Sequence, residues 1–559
     1  MGKLRGRSRV VLVAMLALGW VVSATAQAPI PMTQTDFHVP GTQIGDMPLA
    51  NLRAASECKI CHGDYNAAAE PSATWAGSLM ALGGKDPLFY AQMTTANQDV
   101  TNVGSFCLRC HVPVAVVTGH VAQPNGSTLN ARDKEGVTCH FCHSMVDPVY
   151  EAGVSPPEDQ AVLAALAAIP NYTANAMFVL DPQGRRRGPR ADASPSHEFL
   201  VSPYHREAAL CGTCHDVGNV ATTKQVDGTY RYNLINTESP SHDPWQQFPL
   251  ERTYTEWKLS AFAAGGVNLG GRFGGTRGAV VATCQDCHMP GVAGAPCSFC
   301  SDRPDLASHE FAGAAVPSLD LIAAYTVGDP DVNPAHIAAG RAKALSMLQR
   351  AATVELSRAG GNVVARVVNH SGHKLPTGHI EGRRVWLNLS FYDINDNLLL
   401  ERGHYDTGTA HLDEATTTVY EMQVALSADA ATATGLPAGV TTHMALADTI
   451  AKDTRIPPRG FNNTTYANAG APVVGISYGD GEYWHEQQVA LPTNTARVVA
   501  RLYYQTLTRH YIEALRDGNV TDSWGTTLHS LWQATGRGAP IEMTTATLEL
   551  ERVFANSFE

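Results

Sequence analysis

The chain has 559 residues, of which 44% are hydrophobic, so its composition is that of a globular protein with room for two to four domains. Its formal net charge of −12 argues against nucleic-acid binding, which requires a basic face. The acidic balance is compatible with protein partners or small cationic partners.

The N-terminus has the three parts of a secretory signal peptide. Basic residues among the first nine precede an apolar run over residues 10–22, and small residues at 24–26 form an A-x-A cleavage site. We therefore predict a signal peptide over residues 1–26 and a mature protein in the periplasm or outside the cell. A membrane anchor is the alternative, but this run is short for a bilayer span, and no other run approaches that length, so we expect no stable membrane span after cleavage.

Cysteines form a repeated signature in the first half of the chain. All twelve lie between residues 58 and 300 in six C-x-x-C pairs, and in five pairs the next residue is histidine. In chain order we name these motifs 1 to 5: Cys58, Cys61 and His62; Cys107, Cys110 and His111; Cys139, Cys142 and His143; Cys211, Cys214 and His215; Cys284, Cys287 and His288.

The spacing in these motifs is typical of covalent attachment of haem c. Two thiols three positions apart form thioethers with the porphyrin, and the adjacent histidine donates a nitrogen to the iron. Structural zinc or simple disulfides would use the cysteine pairs but would not require a histidine after each pair. We predict five covalent haem c groups, with the motif histidines as proximal ligands.

The second axial position of each iron decides between an electron carrier and an open site. His140 belongs to the same loop as motif 3, so it cannot reach the opposite face of that haem but could bind a neighbouring one. The alternative is a loop histidine in an ordinary hydrogen bond. His205, six residues before Cys211, and His309, soon after the last cysteine pair, are further distal candidates.

Several stretches resemble the bacterial multihaem cytochrome c family: SFCLRCH, GVTCHFCHSMVDP, SPYHREAALCGTCHDVGN, TCQDCHMP and RPDLASHEFAG. NHSGHKLPTGHIEGRRVWLNL resembles the start of the β-rich domain that often follows such haem domains. The resemblance implies closely packed haems with mainly bis-histidine ligation, without fixing which histidine pairs with which iron. Members are mostly electron carriers, with some reductases and oxidases among their relatives.

The sixth pair, Cys297 and Cys300, departs from this pattern because Ser301 follows it. We predict a disulfide there. A sixth haem with unusual ligation and a redox-active dithiol are the alternatives.

The domain organisation follows from composition and periodicity. We predict a mostly α and irregular pentahaem domain over residues 27–330, including a helix within 155–170 that Ser155 would cap. Asn333-Pro334 opens a connecting helix assigned to 331–352. Alternating β-branched and aromatic residues then predict an all-β, sandwich-like domain over 353–552, followed by a tail over 553–559.

A histidine cluster, NHSGHKLPTGH, begins the β domain. A zinc site is conceivable there, but no acidic partners are near in sequence. We predict instead that His373 reaches across to bind a haem iron in the first domain.

Together these features predict an exported cytochrome that transfers electrons through five haems to redox partner proteins. One alternative is a reductase or oxidase of small nitrogen or sulfur compounds at one open haem. Another is self-assembly into an extracellular filament, in which histidines of one chain bind haems of the next.

Overall fold

The computed structural model describes residue 2 and residues 29–550. The predicted signal peptide, apart from residue 2, and the predicted tail lie outside the described residues. Among the described residues, no helix is both long and apolar enough to cross a membrane.

Short helices joined by irregular segments dominate the chain up to residue 333. Eleven α-helices are described there: α1 Ala55–His62, α2 Pro71–Ala76, α3 Pro87–Asp99, α4 Val103–His111, α5 Pro113–Val117, α6 Cys139–His143, α7 Pro157–Ala164, α8 Ala208–Gly212, α9 Thr253–Lys258, α10 Cys284–His288 and α11 Val316–Tyr325. Helix α7 lies within the predicted range, but Ser155 does not cap it, because the Ser155 hydroxyl accepts a hydrogen bond from Glu151 N at 3.0 Å instead.

Twelve short strands lie between these helices and pair two by two. They are β1 Met145–Val146, β2 Val179–Leu180, β3 Arg186–Gly188, β4 Phe199–Val201, β5 Val217–Asn219, β6 Thr222–Lys224, β7 Tyr230–Tyr232, β8 Phe248–Glu251, β9 Val267–Asn268, β10 Val280–Val281, β11 Gly291–Gly294 and β12 Arg303–Ala307. Isolated two-stranded pairs are marginal in water, so each depends on packing against the surrounding helices and loops.

Helix α12, Pro334–Ala351, connects the two domains. The Asn333 side chain accepts a hydrogen bond from Ala335 N at 3.0 Å, and Pro334 occupies the first turn, where its missing N–H costs nothing. Gly340 on α12 lies directly against Gly77 after α2, where a Cβ would collide with the neighbouring backbone. The two glycines therefore set how closely α12 approaches the first domain.

The second domain is a β-sandwich, which confirms the predicted fold class. Its strands are β13 Ala352–Ala359, β14 Asn362–Asn369, β15 Arg384–Tyr392, β16 Leu398–Arg402, β17 Tyr405–Asp406, β18 His411–Leu412, β19 Val419–Tyr420, β20 Met422–Leu426, β21 Gly439–Val440, β22 Thr449–Asp453, β23 Trp484–Ala490, β24 Arg497–Gln505 and β25 Ile541–Glu549. One antiparallel sheet has the order β13-β14-β23, and the other has the order β16-β15-β24-β25, with β19 beside β15.

The sandwich core forms where the inner faces of these sheets meet. Val363, Ala365 and Val367 alternate along β14 and pack in one apolar cluster with residues of β15 and β24, including Leu387 and Ala500. This alternation is what a half-buried antiparallel strand requires.

Helices also occur within the sequence of the second domain: α13 Ala428–Thr434, α14 Asn463–Asn468, α15 Arg509–Gly518 and α16 Trp524–Ala534. Helices α15 and α16 lie between β24 and β25 and pack against α3 of the first domain. Ala91 of α3 shares an apolar cluster with Ile512, Leu515 and Trp532. The two domains therefore have a common apolar contact.

Candidate functional site

A continuous cavity of about 1830 Å³ extends through the first domain and reaches the second. All ten motif cysteines and all five motif histidines line it. Six further histidines also line it: His140, His197, His205, His309, His373 and His379. Single ligand sites usually have roughly 300–1,000 Å³, so this cavity has room for more than one large group.

Local helix geometry presents each motif to the cavity. Helices α1, α4, α6 and α10 each end at a motif histidine. In motif 4 the turn continues beyond α8, where His215 N donates to Cys211 O at 3.0 Å. One helical turn brings residues three and four apart to the same face, so two thiols and one imidazole point the same way.

Threonine caps fix the start of two of these helices. The Thr138 hydroxyl accepts a hydrogen bond from Phe141 N at 3.3 Å, immediately before motif 3. The Thr283 hydroxyl accepts one from Asp286 N at 3.3 Å, immediately before motif 5. The first cysteine of each motif is therefore held at a defined helix start.

Motifs from different helices are spatial neighbours. Three pairs of cysteines from different motifs lie close enough for a hydrogen bond between their sulfur atoms: Cys58 and Cys139, Cys110 and Cys214, Cys211 and Cys284. In each pair, this hydrogen bond lowers the pKa of the cysteine that comes first in the chain. Cys142 of motif 3 packs on the same apolar cluster, around Phe141, as Cys110 and Cys214. Motif 4 therefore lies beside motifs 2, 3 and 5, and motif 1 lies beside motif 3.

Backbone carbonyls orient three motif histidines. His62, His143 and His288 each donate from Nδ1 to a carbonyl at 2.7 Å: those of Pro296, Arg187 and Ala312. A carbonyl can only accept, so Nδ1 carries the proton and Nε2 is left to bind a metal. Burial lowers the pKa of His143 and of His288, which favours the neutral form that ligates metals.

His215 of motif 4 has a different partner. Its Nδ1 lies 3.2 Å from the Glu251 carboxylate. Burial alone would lower the pKa of His215, but the hydrogen bond and the charge of Glu251 outweigh burial and raise that pKa to about 9.

Two histidines face motif histidines at a separation that fits one shared iron. The ring centres of His288 and His373 are 6.4 Å apart, and those of His143 and His309 are 6.3 Å apart. Rings that ligate one metal from opposite sides have centres roughly 6 Å apart, because each metal–nitrogen bond is about 2 Å. His309 and His373 donate from Nδ1 to the carbonyls of Ala307 and Lys374 at 3.0 Å, so their Nε2 atoms are available.

His205 also lies beside motif 3. Its ring centre is 5.6 Å from that of His143, and the planes are within 8°. Its Nε2 donates to Cys142 O at 3.0 Å, whereas its buried Nδ1 has no hydrogen-bond partner among the described residues.

His140, predicted as a distal candidate, has a hydrogen bond at each ring nitrogen. Arg53 N donates to its Nδ1 at 2.7 Å, and its Nε2 donates to Gly184 O at 2.9 Å. Only 2% of the residue is exposed, and burial lowers its pKa to about 4. The neutral ring thus uses both nitrogens to join two backbone segments, which is the alternative that the sequence left open.

The sixth cysteine pair is bonded as a disulfide between Cys297 and Cys300. The segment that carries it contacts motif 1 at two points: Ser298 N donates to Cys61 O at 2.8 Å, and Pro296 O accepts from His62. The disulfide therefore lies beside the proximal side of motif 1.

Two parts of the site were missed from the sequence. His379 lines the cavity, and its charge contributes, after burial, to lowering the pKa of His111 to about 4, so it lies near motif 2. The Tyr511 hydroxyl is 3.2 Å from His379 Nε2 and donates to Gln92 Oε1 at 2.7 Å. The sequence places His379 in the same histidine cluster as His373 but predicts a haem contact only for His373.

The second missed feature is a buried ion network beside His373. Lys374 Nζ is 2.8 Å from Asp453 Oδ2, and Arg455 contacts both Asp453 and Glu256, at 2.6 Å and 3.0 Å. Glu256 on α9 also accepts from Lys374 N at 3.0 Å. The network thus joins the domains. No part of the sequence pattern brings these four residues together.

The residues fit the haem groups that the motifs predict. Thiol pairs, oriented imidazoles and facing imidazoles converge on one largely apolar cavity, which is the donor set that haem c requires. Among the described residues, no group of three or more histidine, cysteine, aspartate or glutamate side chains is arranged to hold a metal ion directly. The zinc alternative for the loop around His373 therefore lacks a ligand set.

No protein-family model matches the chain, and no curated protein matches it. One solved structure, a penta-heme cytochrome c552 from Thermochromatium tepidum, is similar with a TM-score of 0.47 and 18% identity, covering 90% of this chain and 100% of that chain.

Proposed function

We propose that this chain is an exported multihaem c-type cytochrome that transfers electrons through five covalently bound, mainly bis-histidine haems. The observation that supports this most directly is the single cavity lined by all ten motif cysteines and all five motif histidines. Export follows from the signal peptide predicted at the N-terminus.

In this proposal the motif cysteines hold the haems as thioethers and the motif histidines are the proximal ligands. His373 is the distal ligand opposite His288, and His309 is the distal ligand opposite His143. His205 keeps its role as a distal candidate, because its buried Nδ1 is unpartnered among the described residues. His140 is not carried forward, because both its nitrogens bind backbone.

Haem supplies one-electron redox chemistry, and the protein supplies its setting. The carbonyls of Pro296, Arg187 and Ala312 fix the tautomer of three motif histidines. The contacts between motifs keep the five haem attachment positions close together. Electron transfer from one haem to the next requires such short distances. The acidic chain is suited to redox partners with a basic docking face.

Intact-mass measurement tests the haem count in protein exported by cells that attach haem c. We expect the mature polypeptide plus five haems. The double variant Cys284→Ser/Cys287→Ser should carry four, whereas the matched double variant Cys297→Ser/Cys300→Ser should still carry five. A bare polypeptide mass, or loss of a haem from the second double variant, would contradict the proposal.

Optical spectra of the same preparation separate the carrier from an enzyme. A carrier with bis-histidine irons should show only low-spin spectra in both oxidation states. A substantial high-spin fraction together with turnover of nitrite, hydroxylamine or tetrathionate would favour the reductase or oxidase alternative.

A further inference from the structure

Motif 4 differs from three other motifs in what lies behind its histidine. His62, His143 and His288 donate to neutral backbone carbonyls. The Nδ1 of His215 instead lies 3.2 Å from a carboxylate oxygen of Glu251. At 3.2 Å this contact is longer than the 2.7 Å contacts to carbonyls, but the full negative charge of the acceptor draws the Nδ1 proton away from the ring.

The position of this carboxylate is built into the backbone. Strands β5 and β8 pair antiparallel with Val217 opposite Glu251, so the strand that follows His215 aligns with the strand that ends at Glu251. Tyr254 N donates to His215 O at 2.9 Å and closes the same unit. Strand register therefore places the carboxylate next to the imidazole.

A second set of contacts fixes the carboxylate itself. The Thr253 hydroxyl lies 3.1 Å from the same Glu251 oxygen and donates to it. Gly378 N donates to that hydroxyl at 3.1 Å, and the Thr377 hydroxyl is 3.0 Å away. The loop of the β domain that carries His373 and His379 thus also supports Glu251.

The chemical consequence concerns the metal-binding nitrogen. When Nδ1 shares its proton with an anion, Nε2 becomes a stronger electron donor to a bound metal. Stronger donation stabilises the oxidised iron more than the reduced iron and lowers the reduction potential.

We propose that Glu251 acts on the motif 4 iron through His215: the carboxylate positions the imidazole and strengthens its electron donation, which makes this iron harder to reduce than a neutral partner would. The inference rests on the proposed function. Motif 4 lies beside motifs 2, 3 and 5. An electron that passes between those three haems through the motif 4 haem must therefore cross a centre of lower reduction potential, which is an uphill step.

The test is a potentiometric titration of the haem-loaded Glu251→Gln variant, followed optically and by electron paramagnetic resonance. The glutamine keeps the shape and loses the charge. We expect one of five components to become at least tenfold easier to reduce, which is about 59 mV for one electron, with altered g-values for the same component. Unchanged potentials in a five-haem protein would overturn this inference and leave the proposed function intact, whereas a haem-free protein would overturn the proposed function.

Two further variants keep the test decisive. Glu310 is another carboxylate lining the cavity, and among the described residues it bonds Ser308 and Lys343, at 2.9 Å and 3.1 Å, rather than an imidazole. Glu310→Gln should therefore shift each haem reduction potential by less than Glu251→Gln shifts that of motif 4. Equal shifts would show that the change comes only from the loss of one negative charge, and would overturn the inference. Thr253→Val removes the competing hydroxyl and should move the motif 4 potential downward. If Glu251→Gln does not fold, a downward shift of the motif 4 potential in Thr253→Val supports the inference, and an upward shift or no shift overturns it.

Discussion

The imidazole rings of His288 and His373 lie 6.4 Å apart with their planes 21° from parallel, although the two residues belong to different domains. His288 ends helix α10 of the first domain, and His373 belongs to the loop between β14 and β15 of the sandwich. In the proposed function the β domain thus completes the coordination of an iron that the first domain holds.

Replacing His373 should expose one axial position. In the His373→Ala variant we expect about one fifth of the haem to change from low-spin to high-spin, because one of five irons loses a ligand. Optical spectroscopy and electron paramagnetic resonance measure this fraction. His370→Ala is the matched control in the same loop, since His370 Nε2 bonds to the Thr353 hydroxyl at 2.9 Å. Identical spin states in the two variants would rule out the ligand role of His373.

The Lys374 side chain should be important for the stability of the β domain. Its side chain is fully buried and bonds Asp453 and the carbonyls of Ala471 and Pro472 at 2.8–3.0 Å. Lys374→Met leaves Asp453 with only Arg455, and removing one partner from a buried pair typically costs about 3–5 kcal/mol. Urea unfolding of the haem-loaded protein measures the loss.

The control for Lys374 is a less buried lysine in the same domain. Lys452 pairs with Glu421 at 2.8 Å, and 28% of its side chain is exposed. Lys452→Met should cost only about 0–1 kcal/mol, the range of surface pairs. Because His373 precedes Lys374 directly, we also expect Lys374→Met, but not Lys452→Met, to increase the high-spin fraction. Equal stability losses would contradict the role given to the network.

The sequence predicts the local part of the site well. Thiols and a histidine within five residues are brought together by one helical turn, so spacing alone identifies fifteen residues that line the cavity. The same holds for α12, whose start depends only on Asn333 and Pro334. The alternation of apolar and polar residues likewise identifies β14, β15 and β24, because side chains of these strands pack in the apolar core of the sandwich.

Long-range pairing could not be predicted in this way. The sequence predicts that His373 reaches a haem of the first domain, but no local pattern indicates that its ring faces that of His288. The role of His140 depends on the backbone of Arg53 and Gly184, which only the fold brings to its ring. Helices α15 and α16 interrupt a β pattern because their apolar faces meet α3 of the first domain.

His140 should be structural. His140→Ala leaves Arg53 N and Gly184 O without their present partner, and an unsatisfied buried polar group costs about 1–3 kcal/mol. We expect a lower unfolding free energy and an unchanged low-spin spectrum. Conversion of one haem to high-spin would instead restore the iron role predicted from the sequence.

The contact between His443 and Asp99, which also joins the domains, should respond to pH. His443 of the β domain bonds the carboxylate of Asp99, at the end of α3, at 2.8 Å. This hydrogen bond raises the pKa of His443 above its ordinary value, so the protonated form is favoured in the folded protein. Burial raises the pKa of Asp99. As the pH falls, the Asp99 carboxylate is therefore protonated, and the ion pair is lost, at a higher pH than for an ordinary aspartate.

The sign of the effect follows from linkage. A raised histidine pKa stabilises the fold fully below the unfolded value of about 6.5, and the contribution disappears as the pH rises through the folded pKa. The melting temperature of the His443→Gln variant should therefore be lower than that of the unmodified protein near pH 6, and the difference should diminish well above the folded pKa. His404→Gln is the control, because its partner Glu401 is 2.9 Å away within the same domain and the His404 side chain is 59% exposed. A difference between the unmodified protein and His443→Gln that stays constant across this range would show that protonated His443 does not hold the domains together.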